Sequence, residues 1–270
     1  MRVAVRVVIT GASGFIGRAL CEAVQRAGHE AVSLELRRTD FIPGDVVVHL
    51  AATAHRRAAP SQLERVNVGL TRQVGQAAAA HGARLVYLSS VKVHGEISAE
   101  PFTERSPIAP RDAYGESKAK AEAALRAIPG LRLAVLRPPL VYGPGVKANF
   151  LALMRAISRG VPLPFASVKN RRSLLYLGNL VDAILRCLER EGTFLVCDGP
   201  GRSTAQWCEA LGQALGKPAR LFAFPAGLLP RKLAGSLEVD ASALRSELGW
   251  RAPFTPEEGL RETARWYKGF

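Results

Sequence analysis

Tyr114 and Lys118 stand four residues apart in the stretch Pro-Arg-Asp-Ala-Tyr-Gly-Glu-Ser-Lys that begins at Pro110. On a helix this spacing puts a phenol and an ammonium on one face, one turn from each other. A nearby cation favours the ionised form of an acid, so the pair is expected to bring the phenol below its ordinary value of about 10. A tyrosine tuned in this way can pass a proton to or from a carbinol oxygen near neutral pH. The same pair also suits a solvated helix face, and the surrounding elements decide between the two.

Upstream, residues 3–10 form an apolar, β-branched run that reads as a buried strand. It leads into Thr-Gly-Ala-Ser-Gly-Phe-Ile-Gly, which places Gly11, Gly14 and Gly17 ahead of a helical stretch over 18–27 closed by Gly28. Strand, glycine loop and helix are the context of a dinucleotide site. Glycines let the backbone approach a pyrophosphate, and the helix start, with Phe15 and Ile16, supplies N–H donors at the positive end of the dipole. The spacing is GxxGxxG rather than GxGxxG.

A second strand is expected over 31–35. Glu35 at its end suits the adenosine ribose hydroxyls and so favours NAD, whereas Arg37 and Arg38, helped by Arg18, suit a 2′-phosphate. NAD is the expected cofactor and NADP stays open. Only about ten residues separate this strand from the next, over 46–50, too few for a complete crossover with a helix. The helix after the second strand is therefore expected to be missing. A remnant strand over 39–41 would let Asp40 reach the adenine amino group, or Asp40 is an ordinary turn residue.

The 46–52 strand ends in Leu50, Ala51 and Ala52, small enough to lie beside the cofactor. A helix over 61–81 contains Asn67. The strand over 84–90 ends in Ser89 and Ser90, and open α/β sheets hold ligands at the carboxyl ends of their strands. After a strand over 131–137, Pro138 and Pro139 open a loop too rigid to continue the sheet.

The 270 residues suffice for one large domain or one and a half. Hydrophobic content is 48% and charged content 22%, a globular balance. The chain opens almost directly into its first strand, without a signal-peptide pattern, and lacks an apolar run long enough for a membrane helix, so a cytoplasmic protein is expected. Cys21, Cys187, Cys197 and Cys208 have no metal-ligand or redox spacing and read as core residues, and no metal is expected. The net charge of +14 allows nucleic acid, an anionic substrate or an acidic surface as partner. The arginines are scattered, however, and no basic run is interleaved with aromatics, which speaks against nucleic acid.

The motifs TGASGFIG, HLAA, LSS, YGESK and LRPPLVYGPG occur in this order and span most of the chain. In these the sequence resembles the extended short-chain dehydrogenases/reductases, the NAD-dependent epimerase/dehydratase family. The further stretches LSSVKVHGE, PPLVYGPGVKANF, NRRSLLYLGNLVDA and SLEVDASALRSELGW make it similar to bacterial UDP-N-acetylhexosamine 4-epimerases and 4-ketoreductases of surface-polysaccharide pathways. The resemblance implies a doubly wound parallel sheet with a smaller C-terminal substrate lobe, the dinucleotide domain over 1–142 and 174–198 and the lobe over 143–173 and 199–270. It implies that Gly11, Gly14 and Gly17 hold the pyrophosphate, that Ser90 bonds the sugar C4 oxygen, that Tyr114 exchanges its proton, and that Lys118 binds the nicotinamide ribose. Pro138 would lie against the nicotinamide. Asn149 and Arg172 would hold the nucleotide diphosphate, with Asp240 in the substrate lobe, and a homodimer would form through the helix of Tyr114.

Two departures restrict the chemistry. The resembling 4,6-dehydratases carry an Asp-Glu pair after the catalytic Ser or Thr, where this chain has Val91 and Lys92, so dehydration is not expected. His94 replaces a common Tyr and reads best as a loop histidine with a structural bond; His55 with Arg56 and Arg57 reads as solvated loop. The alternative for Arg172, second to the diphosphate role, is a solvated place beside Arg171, and Asp240 could equally cap the helix that follows. The expected activity is hydride transfer at C4 of a nucleotide sugar, as ketoreductase or epimerase, with the motif combination favouring the ketoreductase narrowly. A dinucleotide-sensing protein without catalysis is the alternative from another class, disfavoured by an intact Ser90, Tyr114 and Lys118.

Overall fold

The computed structural model describes residues 4–34, 43–53 and 59–269. Six parallel strands form the main sheet in the order β2-β1-β3-β4-β5-β8. They are β1 (Arg6–Thr10), β2 (Glu30–Leu34), β3 (Val46–His49), β4 (Arg84–Leu88), β5 (Arg132–Arg137) and β8 (Gly192–Leu195). Between β5 and β8, β6 (Leu140–Tyr142) and β7 (Leu174–Tyr176) pair in a separate parallel two-stranded sheet.

Strands β1, β3 and β4 are buried on both faces, which explains their β-branched and aliphatic makeup. Their side chains alternate between two cores. Val7, Ile9, Val46, Val48 and Val86 pack against α1 (Phe15–Arg26) and α6 (Leu177–Cys187). Val8, Val47, Leu85 and Tyr87 pack on the other face. That face is covered by a long helical stretch made of α2 (Pro60–Leu63), a π-helical turn (Glu64–Leu70) and α3 (Thr71–Ala80), and by α4 (Ala113–Arg126). Helices on both faces of a parallel sheet make the doubly wound architecture expected from the sequence.

A third core joins Tyr142, Phe150, Met154, Trp207, Leu211 and Leu260. Its elements are α5 (Ala148–Ser158), α7 (Thr204–Leu215) and, past the short α8 (Arg231–Ala234) and α9 (Ser242–Leu248), α10 (Pro256–Lys268). Capping boxes at Ser203/Gln206 and Thr255/Glu258 start α7 and α10.

The chain reverses direction across the sheet between β1 and β3. From β1 it passes outward to β2, then returns over β1 to β3, so the crevice outside β1 and β3 is the topological switch point. The described part of the β2–β3 connection is a turn at 43–45. The expectations placed on 39–41 and on Glu35, Arg37, Arg38, Asp40, His55, Arg56 and Arg57 lie outside the described residues. All four cysteines are free, three of them buried, and the described residues hold no group of metal-ligating side chains.

Candidate active site

At the switch point Gly11 has φ +71°, and a Cβ there would meet the Ala51 nitrogen at 3.0 Å. A Cβ on Gly17 would lie 2.2 Å from the Gly11 carbonyl oxygen, and one on Gly14 3.1 Å from the same atom. Only glycine fits this loop. Gly14 precedes α1 without a side-chain cap, which leaves the N–H groups of Phe15, Ile16 and Gly17 without intrahelical partners. The loop thus offers a cradle for a pyrophosphate, and its donors fit a dinucleotide.

Thr10 ties the two strand ends of the crevice together. Its Oγ1 accepts from the N–H groups of Leu50 and Ala51, each at 3.2 Å. With both acceptor positions used, its hydroxyl donates to His49 Nδ1 at 2.7 Å, and His49 Nε2–H then donates to Thr71 Oγ1 at 2.9 Å. Burial, followed by the charge of Lys118, pushes the His49 imidazole down to about 3, so it is neutral at physiological pH. Leu50, Ala51 and Ala52 consequently sit where β3 leaves the sheet, directly against Gly11.

The Tyr114 pair sits at the start of α4, whose N-cap Asp112 accepts from Gly115 N at 2.7 Å. Gly115 lets this turn approach the strand exit after β4: a Cβ there would meet the Lys92 carbonyl oxygen at 2.6 Å. Lys118 is buried, and its Nζ donates to the Leu88 carbonyl at 2.7 Å. The ammonium lies 4.7 Å from the Tyr87 ring centroid and 6.0 Å from that of Tyr114. Ser90, just past Leu88, caps the 3₁₀ turn Val91–Val93 by accepting from Lys92 N at 3.3 Å. Pro138 holds the same turn, its carbonyl accepting from Val91 N at 2.9 Å. Ser90, Tyr114, Lys118 and Pro138 are thereby gathered at the carboxyl edge of β4 and β5.

The electrostatics correct one expectation. In the protein itself Tyr114 is pushed up to about 12, by burial and then by the Asp112 carboxylate. Lys118 is pushed down to about 7 by burial, with Glu122 opposing. The four-residue spacing alone does not lower the phenol, because desolvation raises the acid and weakens the cation together, and because Lys118 spends a hydrogen bond on Leu88.

Residues with no role assigned from the sequence hold this arrangement. Glu122, one turn beyond Lys118, accepts from Ser89 Oγ and from Arg137, and Arg137 Nη1 lies 3.0 Å from His94 Nε2. His94 Nδ1 donates to the Pro107 carbonyl at 3.0 Å and its ring stacks on Phe102, a structural histidine as expected. Asn67, on the π-helical turn, bonds both the N–H and the carbonyl of Thr53 and donates to Ser117 Oγ at 2.9 Å, linking the β3 exit to α4. The four-residue step from Lys118 to Glu122 was the sequence signal for this layer; the partners of Asn67 had none.

The three lobe candidates lie on separate segments. Asn149 is exposed in the first turn of α5, next to Ala148 with φ +53°. Arg172 donates from Nη1 to the carbonyls of Lys232 and Gly235 at 3.0 and 2.9 Å. Asp240 Oδ1 accepts from Ser242 N at 2.8 Å and lies 3.6 Å from Arg245, a local turn ahead of α9, whose N-cap is Ala241 rather than Asp240. A separate cavity of about 710 Å³ runs between α1, α6 and residues 253–266; it includes Phe15 and Arg18 but none of Ser90, Tyr114 and Lys118.

The sequence profile of the NAD dependent epimerase/dehydratase family matches residues 7–43 and 39–196. A UDP-glucose 4-epimerase of Vibrio cholerae is 36% identical over 309 aligned residues, covering 96% of this chain and 94% of the relative. A dTDP-4-dehydrorhamnose reductase of Mycolicibacterium smegmatis is 30% identical over 199 residues, 68% of this chain and 60% of the relative. The structure of Thermus thermophilus UDP-glucose 4-epimerase in complex with NAD superposes with a TM-score of 0.83 at 24% identity, covering 98% of this chain and 99% of that one.

Proposed function

Because the chain belongs to the NAD-dependent epimerase/dehydratase family, we propose that it inverts C4 of a UDP-hexose or UDP-N-acetylhexosamine by removing and returning a hydride at that carbon. The observation that carries this reading is the placement of Tyr114 and Lys118 on the first turns of α4 beside Ser90 at the carboxyl end of β4.

Bound NAD, held by Gly11, Gly14 and the N–H groups of Phe15, Ile16 and Gly17, supplies the hydride acceptor and donor. The Tyr114 phenolate receives the C4 hydroxyl proton in the oxidative half, and the phenol so formed returns it in the reductive half. Ser90 Oγ accepts from Lys92 N, and its own hydrogen is available to the C4 oxygen. Lys118, fixed on Leu88, holds its amino group one turn from the phenol. Arg172, and Asn149 at the start of α5, are assigned to the nucleotide diphosphate, for which a guanidinium is apt. Elimination of water has no support: Val91 is buried and apolar, and Lys92 is paired with Asp112 and Glu96.

A second reading, reduction of a 4-keto sugar with the same residues, is favoured by the likeness to a 4-dehydrorhamnose reductase. The proposal extends to a homodimer through α4, to the division into dinucleotide domain and substrate lobe, and to work in the cytoplasm on small molecules. Among the described residues, no helix is long and apolar enough to cross a membrane.

The test is to supply UDP-glucose and UDP-N-acetylglucosamine with NAD and to follow the C4 epimers by NMR, beside a 4-keto-6-deoxy sugar nucleotide with NADPH. Epimer formation without net cofactor turnover is the expected result. Consumption of NADPH with the keto sugar alone moves the assignment to the reductase. No turnover of either by folded, dinucleotide-binding protein overturns both.

A further inference from the structure

Lys92 occupies the position where the resembling dehydratases carry an acid, and its ammonium is not idle. It is paired with the Asp112 carboxylate and lies 3.4 Å from Glu96. Asp112 is the N-cap of α4, two residues before Tyr114, and the Lys92 carbonyl is the surface that Gly115 packs against. Glu96 in turn accepts from Lys232 Nζ at 2.6 Å, and the Lys232 carbonyl receives Arg172. Charges of alternating sign therefore run from the start of the catalytic helix, through the 3₁₀ turn, to α8 in the lobe.

We propose that Lys92 is a positioning residue for proton transfer: it cancels the Asp112 carboxylate beside Tyr114 and fastens the start of α4 to the segment that holds Arg172. The proposal rests on the reading of Tyr114 as the proton carrier. A lone carboxylate near a phenol disfavours the phenolate, and Asp112 is the charge that raises Tyr114 after burial itself. A cation bonded to that carboxylate opposes this repulsion without abolishing it, and it also keeps Asp112 ionised: burial would raise the carboxyl, but the Lys92 and Gly115 hydrogen bonds hold it below the usual range.

Among the described residues, other charged or titratable groups stand near Tyr114, and exposed Arg111 directly precedes Asp112. Lys118 and Glu122 lie on α4, the latter spent on Arg137 and Ser89. Glu116 is exposed and paired with Lys120, which also reaches Glu64 of the π-helical turn. Tyr87 of β4, whose ring lies 4.7 Å from the Lys118 ammonium, and neutral His49 of β3 complete the set.

The experiment is a near-ultraviolet titration of tyrosinate with NAD bound, in which the step lost in Tyr114→Phe identifies Tyr114. The same variants are followed by the pH profile of kcat/KM with UDP-glucose. In Lys92→Met, the Tyr114 step and the acid limb of the profile are expected to move up by about half a unit to one unit. Lys92→Arg is expected to restore both, and so is Lys92→Met with Asp112→Asn, since Asn still caps the helix but carries no charge. A Tyr114 step unmoved in Lys92→Met, with turnover lowered evenly at every pH, would reduce Lys92 to a structural contact and overturn the inference. Full turnover in Tyr114→Phe would instead overturn the reading on which it rests.

Discussion

Arg137 grips Glu122 in a parallel pair of hydrogen bonds, Nε to Oε1 at 2.9 Å and Nη2 to Oε2 at 2.5 Å, with the two side chains 4% and 1% exposed. The pair joins β5, whose next residue is Pro138, to the helix carrying Tyr114 and Lys118. Through Ser89 and His94 it also fixes the strand exit on which Ser90 sits. The positions of the candidate catalytic groups therefore depend on one buried ion pair.

Removing one side of that pair leaves the other charge buried. Glu122→Gln is expected to destabilise the protein by about 3–5 kcal/mol, read from urea denaturation at neutral pH. Burial alone would raise the Glu122 carboxyl, but the Arg137 bonds outweigh it and the folded value lies below the ordinary one. The unfolded chain thus takes up the proton first, and this stabilisation is present above about pH 4.5 and is lost as pH falls through the folded value. The wild type is expected to lose more stability than Glu122→Gln on acidification; equal losses would contradict the assignment.

Lys118 gives a second window of the same sign at higher pH. Its folded value of about 7 lies below the ordinary 10.5, so between these values the unfolded chain binds more protons and stability rises with pH. Melting curves of nucleotide-free protein from pH 7 to 10 are expected to show the wild type gaining on Lys118→Met, by on the order of a few kcal/mol. A constant gap between the two would mean that Lys118 is solvated in the folded protein.

The glycine loop offers a graded test. Gly17→Ala places a Cβ 2.2 Å from a carbonyl oxygen and is expected to cost about 1–3 kcal/mol or more, with NAD affinity falling at least about tenfold. Gly14→Ala, at 3.1 Å, is expected to be milder. Gly227→Ala, with no atom within 4 Å of the added carbon, serves as the control and is expected to bind NAD like the wild type. Calorimetric titration with NAD measures all three.

Much of this was legible in the sequence. The β-branched runs give β1 and β3 because a strand buried on both faces must be apolar throughout, and the glycine spacing marks the β1–α1 turn because no other residue fits it. The ionisation of the Tyr114 pair was not legible, since it depends on burial, which residue spacing does not report. Nor were the pairings of Lys92 with Asp112, of Glu122 with Ser89 and Arg137, and of Asn67 with Thr53 and Ser117, which join positions 14 to 50 residues apart and form through the packing of α4 on the strand exits. Asp240 was open to two uses, and its bond to Ser242 belongs to the local turn before α9 rather than to the helix cap.

The most direct test of the account is the turnover of Tyr114→Phe with the sugar nucleotide that the wild type converts, measured beside its NAD affinity. Loss of the phenol hydroxyl removes the proton carrier but leaves the ring, the glycine loop and Lys118 in place. The expected result is NAD binding within a factor of about three of wild type and turnover reduced about 10²–10⁴-fold. Turnover equal to wild type would contradict the account.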